Sequence, residues 1–496
     1  MNDIQSGLIG TSRERLFGQQ YHILYIMLPK NLKYQNKVES ASASAYTSNL
    51  APQNGQTYTD GQTIIVNIPT RNNLCLIGSE STLKFSLAVK PGADANFVRL
   101  DRGGANGIFQ RLRLYSGSSL LEDIDNYGLL MADLISLQKS NASVRGKYNI
   151  SNGTRLEDTV VGNATLIPAL YAQNDATSTI IGRSYIAPAG ERLLTTTEAA
   201  VVTSAAGSAA RAYSISLLSI LGTLGSQYVP LFAMASAGPL RLELQLVDNA
   251  NKFACSDKTL TSFTLTNVEY VASFLELSDS SMEVINNSLG GQPLQYVIPS
   301  FRNYVYTNTI GTAVTTQINA PVAAKFSSLK SLFANMRKTA NVGAQTFFPH
   351  SSVHHGLSSY NLRVGSKIIP AKAPSTVSEF FIEACKAIGS VADINHCPTM
   401  SMYSYNVKTD TANVETQLLY SSTSMSKNFM LGVDLEVYAN ADKESIFSGY
   451  NSLNDDIFIQ MTFDGSVAAD TPCRFDFYAL YDSLLICENG TAYVKF

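Results

Sequence analysis

The amino-acid sequence predicts an all-β chain of two tandem sandwiches of Greek-key or jelly-roll type, with short helices and long surface loops. Three observations carry this. First, short alternating or apolar runs recur from residue 63 to 496 between breaks rich in Gly, Pro, Asn and Asp. Second, a series of segments repeats in one order in the two halves. Leu112-Arg113-Leu114-Tyr115, with Gly117, leads into a helical stretch over 120–137; Leu362-Arg363-Val364-Gly365 leads, past Pro370 and Pro374, into one over 377–388. Residues 239–246 match 430–437, and Asn267 to Asp279 is echoed by Phe475 to Asp482. Third, charged residues make up 15% of the chain, well below the usual quarter or so, and Ser, Thr, Asn, Gly and Tyr stand in their place. Such residues suit strands, turns and protein contacts.

Taken in order, residues 1–60 read as an N-terminal arm, dominated by Gly, Ser, Gln and Asn. Strands are expected over 63–68, 82–89 and 109–115, punctuated by Pro69, Pro91-Gly92 and Gly103-Gly104. A helix is expected over 122–137, where Leu129, Leu130, Leu134 and Leu137 fall near helical spacing. Glu122, Asp123 and Asp125 then occupy its first turn, the sign its dipole favours. Residues 141–210 are too long for a connector and read as a surface insertion with strands of its own. Strands over 211–217, 240–246 and 263–277, with a short helix over 219–227, complete a first sandwich spanning 61–278. Residues 279–293 read as a linker, and 294–496 as the second sandwich. Its strands are expected over 294–306, 325–336, 360–364, 429–438, 457–463, 475–481 and 484–487. Loops are expected over 347–356 and 389–413, and a helix over 377–388. The turn Glu488-Asn489-Gly490 returns the chain as a last strand over 492–496.

A chain of 496 residues accommodates two large domains, each able to bury about 70–75% of its unfolded surface without a metal or disulfide. The formal charge of −3 provides no broad basic surface, so no sequence-specific nucleic-acid binding is expected. Arg13, Arg15, Lys30, Lys33 and Lys37 are interleaved with Asp3, Glu14 and Glu39 and read as a solvated arm. The six cysteines are scattered without a C-x-x-C pair, the pattern of reduced, buried thiols. Arg13, Glu14 and Arg15 interrupt the stretch a signal peptide would need, and the apolar run 23–28 is too short to span a bilayer. The expectation is folding in a reducing cytosol, where triplets such as Asn141-Ala142-Ser143 carry no glycosylation meaning.

Four constellations invite a chemical reading. His350, His354 and His355 include an i, i+4 pair able to share a metal, yet Pro349, Ser351-Ser352 and Gly356 describe a polar loop. His396-Cys397 is followed by Pro398 and has no second thiolate near it. Asp123/Asp125 and Asp455-Asp456 could supply a glycosidase pair, but the first reads as a helix start and the second as a turn. No P-loop, G-x-G-x-x-G or G-x-S-x-G is present. The absence of Trp weakens a carbohydrate-binding reading, and the 25 tyrosines suit sheets and interfaces. No catalytic residue, cofactor site or metal site is expected.

Several phrases together resemble a known family: Arg111-Leu112-Arg113-Leu114-Tyr115 through Leu120-Leu121-Glu122-Asp123-Ile124-Asp125-Asn126-Tyr127, then Gly238-Pro239-Leu240-Arg241-Leu242-Glu243-Leu244, and Ser327-Ser328-Leu329-Lys330-Ser331-Leu332-Phe333. Tyr360-Asn361-Leu362-Arg363-Val364-Gly365 with Pro370, and the ending Phe477-Tyr478-Ala479-Leu480-Tyr481-Asp482, complete the set. They resemble the double jelly-roll major capsid proteins of polintons, polinton-like viruses and virophages, with adenovirus hexon as a distant relative. The resemblance implies two eight-stranded jelly rolls and a homotrimeric, pseudo-hexagonal capsomer in the icosahedral shell of a double-stranded DNA virus. Its implied partners are neighbouring capsomers, single jelly-roll penton and minor capsid proteins, and an internal membrane beneath the shell. The implied location is the virion, after synthesis in the host cytoplasm and assembly in cytoplasm or nucleus. The rival readings are a lectin-like two-sandwich surface or receptor-binding protein, and a glycan-processing enzyme.

Overall fold

The computed structural model describes residues 43–95, 98–140, 143–144, 146–154, 156–157, 187–188, 202–222, 228–345, 347–389, 400, 402–410, 426–437, 447–467 and 471–496. The first half is built from β1 (Ala43–Leu50), β2 (Thr63–Ile68), β3 (Thr82–Pro91), β4 (Phe109–Ser116), β5 (Ser119–Asp125), helix α1 (Tyr127–Gln138), β6 (Arg211–Ile215), β7 (Leu240–Leu246) and β8 (Leu260–Leu277). Helix α2 (Asp279–Leu289) leads to β9 (Leu294–Ile310), β10 (Thr316–Val322), β11 (Leu329–Lys338), β12 (Leu357–Val364), β13 (Lys367–Ile369), helix α3 (Val377–Ile388), β14 (Leu431–Asp434), β15 (Ile457–Phe463), β16 (Thr471–Glu488) and β17 (Thr491–Lys495).

The strand order is the same in both halves. The first pairs β1-β8-β3-β6 in one sheet and β2-β7-β4-β5 in the other; the second pairs β9-β16-β11-β14 and β10-β15-β12-β13. Every strand of the first roll thus has its counterpart eight strands later, the arrangement of two jelly rolls in tandem. Alternation builds each core. Ile64, Val66 and Ile68 on β2 face Leu240, Leu242 and Leu244 on β7 and Leu112 and Leu114 on β4, all buried. In the second roll Ile457, Ile459, Met461 and Phe463 on β15 occupy the equivalent inner row. The β4–β5 and β12–β13 turns each hold a left-handed glycine, Gly117 at φ 58° and Gly365 at φ 55°.

The topology corrects part of the repeat. Residues 239–246 resemble 430–437, but β7 is the counterpart of β15, and β14 is that of β6. Alternating Leu with polar residues marks any half-buried strand and does not identify which one. The pairing of 267–279 with 475–482 holds, since both lie on the long inner strands β8 and β16. Within β8 a bulge between Thr266 and Glu269 places Asn267 at φ 53°, so Val268 returns to the core side.

Other boundaries shift for physical reasons. Glu122, Asp123 and Asp125 are not a helix start: they lie on β5, and α1 begins only at Tyr127. Within the expected arm, 43–50 forms the edge strand β1 and Tyr58–Thr59 pairs with β8. The expected linker is the helix α2, capped by Ser278, whose side chain accepts from Ser281 N, and closed by left-handed Gly290. Strands 475–481 and 484–487 are one strand, β16. The edge strand β10 carries Pro321, which hid it from a propensity reading. No helix occurs over the described residues 219–222. Of the insertion, Leu156–Glu157 pairs antiparallel with Ala187–Pro188 and Lys147–Asn152 is helical; most of the rest lies outside the described residues. The basic residues of the arm, His396-Cys397 and most of 389–413 also lie outside them.

Candidate functional site: the junction between the two rolls

Strand β11 reads Leu-Lys-Ser-Leu-Phe-Ala-Asn-Met-Arg-Lys, and every residue but the last is buried. Leu332, Ala334 and Met336 enter the core of the second roll. Phe333, Asn335 and Arg337 alternate with them and face the outside of the sheet, where polar residues usually meet water. Here the first roll covers them. Phe333 stacks on Tyr478 of β16 with ring centroids 5.4 Å apart, and Phe301 of β9 meets its edge at 6.3 Å. Phe301, Phe333, Met430, Ala384 and Tyr478 belong to one apolar cluster with Leu129, Leu130 and Leu134 of α1.

A polar network crosses the same junction. Asp133 on α1 binds Arg102 of its own roll at 2.6 Å and accepts from Asn335 Nδ2 of the other. Arg102 also donates to His350 O at 2.9 Å and to Ser136 Oγ at 2.9 Å, while His350 N donates to Asp101 Oδ2 at 2.5 Å. Asp476 on β16 is gripped by Arg337 and Arg474, and its Oδ1 accepts from Asn126 Nδ2 of the first roll at 3.0 Å. Tyr478 OH returns a bond to Asn126 O at 2.9 Å. Asn126 stands at φ 50°, a left-handed position that ends β5 and opens α1.

The two carboxylates are tuned differently. Burial opposes ionisation of Asp476, but Arg337 and Arg474 outweigh it and hold the carboxyl below its usual range. At Asp133 burial wins, pushing the carboxyl up against the pull of Arg102. Burial of α1 from Tyr127 to Leu137 follows from its sequence, apolar on every face over that span except Asp133 and Ser136, both of which Arg102 meets. Gly128 lets that helix approach the Gly104–Ile108 turn, since a Cβ there would lie 2.9 Å from Gly107 Cα. A cleft of about 320 Å³ lies beside the network, lined by Asn126, Gln245 and Lys252 from one roll and Arg337, His350 and Arg474 from the other.

The outer faces of the first roll contrast sharply. On β2-β7-β4-β5 charges are laddered across strands: Arg111 holds Asp123 at 2.7 Å, Arg113 reaches Glu243 at 3.3 Å, and Arg241 lies over the Tyr115 ring at 4.5 Å. On β1-β8-β3-β6 the outward residues include Ser86, Ala88, Thr264, Thr266 and Ala212, beside exposed Lys90 and one ion pair, Lys84–Glu269 at 3.7 Å.

The residues weighed from sequence take plain structural places. His350 and His355 are buried, and burial lowers each to a pKa of about 4. His354 Nδ1 accepts from Gly356 N at 3.2 Å. Among the described residues no group of three or more His, Cys, Asp or Glu is placed to hold a metal. Asp123 pairs with Arg111, and Asp125 accepts from Asn126 N at 2.8 Å. Asp455 accepts from Tyr450 OH at 2.6 Å, and Asp456 pairs with Lys325 at 2.9 Å. The junction residues Asp133, Asn335 and Asp476 were not singled out by sequence; the available signals were polar residues alternating within an otherwise apolar strand at Asn335 and Asp476, and a lone carboxylate within an apolar helix at Asp133.

No protein-family model matches the chain, and no curated protein matches it by sequence. Solved structures do match. The Sputnik virophage structure aligns over 95% of this chain and 92% of its own, with a TM-score of 0.54 and 13% identity. The mavirus major capsid protein aligns over 95% of each chain with a TM-score of 0.51 and 10% identity. The Faustovirus major capsid protein aligns over 94% of each, with a TM-score of 0.52 and 10% identity. The chain therefore has the double jelly-roll fold of these capsid proteins, as its sequence phrases suggested.

Proposed function

We propose that the chain is a major capsid protein of a double-stranded DNA virus, assembling as homotrimeric, pseudo-hexagonal capsomers into an icosahedral shell. The observation that carries this reading is the repeated strand order of two rolls locked through a buried junction, in a fold shared end to end with viral capsid proteins. Two rolls per chain let three copies present six near-equivalent sides, while each roll varies its loops. The role is structural and non-catalytic, in the virion. Its partners in this reading are neighbouring capsomers, penton and minor capsid proteins, and a membrane beneath the shell. In this reading the first roll closes at residue 278, the segment 279–293 connects, and the second roll runs from 294 to 496.

Light scattering after size exclusion is expected to give a mass of three chains, with interfaces burying more than about 2,000 Å² each. Negative-stain images are expected to show pseudo-hexagonal particles. Isolated bilobed monomers at high concentration would overturn the proposal.

A further inference from the structure

We propose that the cleft between the two rolls is a binding site for a phosphate group, held at the N-terminus of α1 by donors from both rolls. Three observations converge on it. The first is a set of buried donors with nothing to bind. Helix α1 opens without a side-chain cap and without an acidic residue in its first turn. Tyr127, Gly128 and Leu129 are buried, and their backbone N–H groups have no hydrogen-bond partner among the described residues. Orphaned buried N–H groups are rare, and three at one helix end are the arrangement by which helices bind anions. Gly128 and Leu129 both line the cleft.

The second is a buried side chain from the other roll. His350 lines the same cleft and is 4% exposed. Its Nδ1 lies 3.5 Å from Asp101 Oδ2 but closes no hydrogen bond. Burial keeps the ring neutral at pH 7, so its one proton is free to sit on the nitrogen that meets an oxyanion. The third is charge. Lys252, Arg337 and Arg474 line the cleft against a single carboxylate, Asp248, which Lys252 holds at 2.7 Å. Arg337 and Arg474 share the one carboxylate of Asp476, leaving a positive charge over. Arg474 gives Nε and Nη2 to Asp476, and its Nη1 has no partner among the described residues. Asp125, the other carboxylate near Arg474, already accepts from Gln110 Nε2 and Asn126 N. Donors from α1, the 347–356 loop and β16 suit the several acceptor oxygens of a phosphate group. At about 320 Å³ the cleft has the volume of about ten waters, so the organic part of a phosphate monoester fits beside Phe109 and Leu129.

The site is complete within one chain, so its test is independent of the capsid reading. Isothermal titration of the full chain in phosphate-free buffer, with inorganic phosphate and separately with phenyl phosphate, is expected to show saturable binding of one ligand per chain. Tighter binding of phenyl phosphate assigns the cleft to an ester; tighter binding of inorganic phosphate assigns it to the free ion. Arg474→Gln and Lys252→Glu are each expected to weaken binding at least about 10-fold. Lys252 is 38% exposed and makes none of the junction bonds, so Lys252→Glu reads the site even where Arg474→Gln weakens the fold. Lys325→Gln, at the other end of β11 from Arg337, is the control and is expected to bind as the unsubstituted chain does. The proposal is wrong if neither probe binds saturably. It is equally wrong if both cleft variants bind like the unsubstituted chain, or if Lys325→Gln loses as much affinity as they do, since either result describes an adventitious ion only.

Discussion

Glu122 is a buried carboxyl with no cation beside it among the described residues. It lies on β5, 3% exposed, accepting from Ser219 Oγ at 2.5 Å and Ile220 N at 3.1 Å. Burial raises it from the ordinary 4.5 to about 7, more than those two hydrogen bonds pull it down. Below pH 4.5 the carboxyl is protonated folded and unfolded alike. As pH rises from there to 7, the unfolded chain releases the proton and the folded chain keeps it, so stability falls across that window and is flat above it. At about 1.4 kcal/mol per tenfold change in proton affinity, the loss is about 3 kcal/mol. Glu122→Gln keeps the shape and a donor toward Ser219 without the charge. It is expected to match the unsubstituted chain at pH 4.5 and exceed it by about 3 kcal/mol at pH 8. With an unfolding entropy near 2.1 cal/mol/K per residue over a chain this long, that is roughly 3 °C in Tm. Asp410, His350 and His355 titrate in the same range, so the quantity to follow is the difference between the two proteins, by denaturant titration at each pH. A difference that stays constant from pH 5 to 8 would refute the reasoning.

Three further outcomes are expected. Asp133→Ala strands Arg102 in the junction and should cost about 3–5 kcal/mol by chemical denaturation, whereas Asp123→Ala, at a half-exposed pair, should cost under about 1 kcal/mol. Gly432→Ala places a Cβ 2.8 Å from Ala384 Cα, pushing α3 off β14 and lowering stability by about 1–3 kcal/mol in thermal unfolding. His355 is held neutral by burial, so stability present above pH 6.5 is lost as pH falls toward 4; His355→Gln should flatten that acid limb in a pH series of melting curves.

Much of the architecture is legible in the residues. The strands 63–68, 240–246 and 457–463 alternate cleanly and coincide with β2, β7 and β15, and Thr376 with Glu379 forms the capping box that opens α3 at Val377. Misreadings arise where tertiary contact overrides local pattern. The acidic run on β5 mimics a helix start because Arg111 and Gln110 pair it from the neighbouring strand. The junction is illegible for a related reason: Asn335 and Arg337 look like solvent-facing residues of a half-buried strand, and only the other roll, more than two hundred residues away at Asp133, makes them core.

The tether between the rolls changes the arithmetic of association. Because the chain continues through α2 from one roll to the next, the Asp133–Asn335 junction forms within one molecule and sacrifices no translational freedom. Six separate rolls would need every contact made by collision, each opposed by roughly 4–15 kcal/mol of lost motion. In the proposed capsomer, three tethered pairs would meet that opposition only between copies, so the ring would form at concentrations where untethered rolls would stay dispersed.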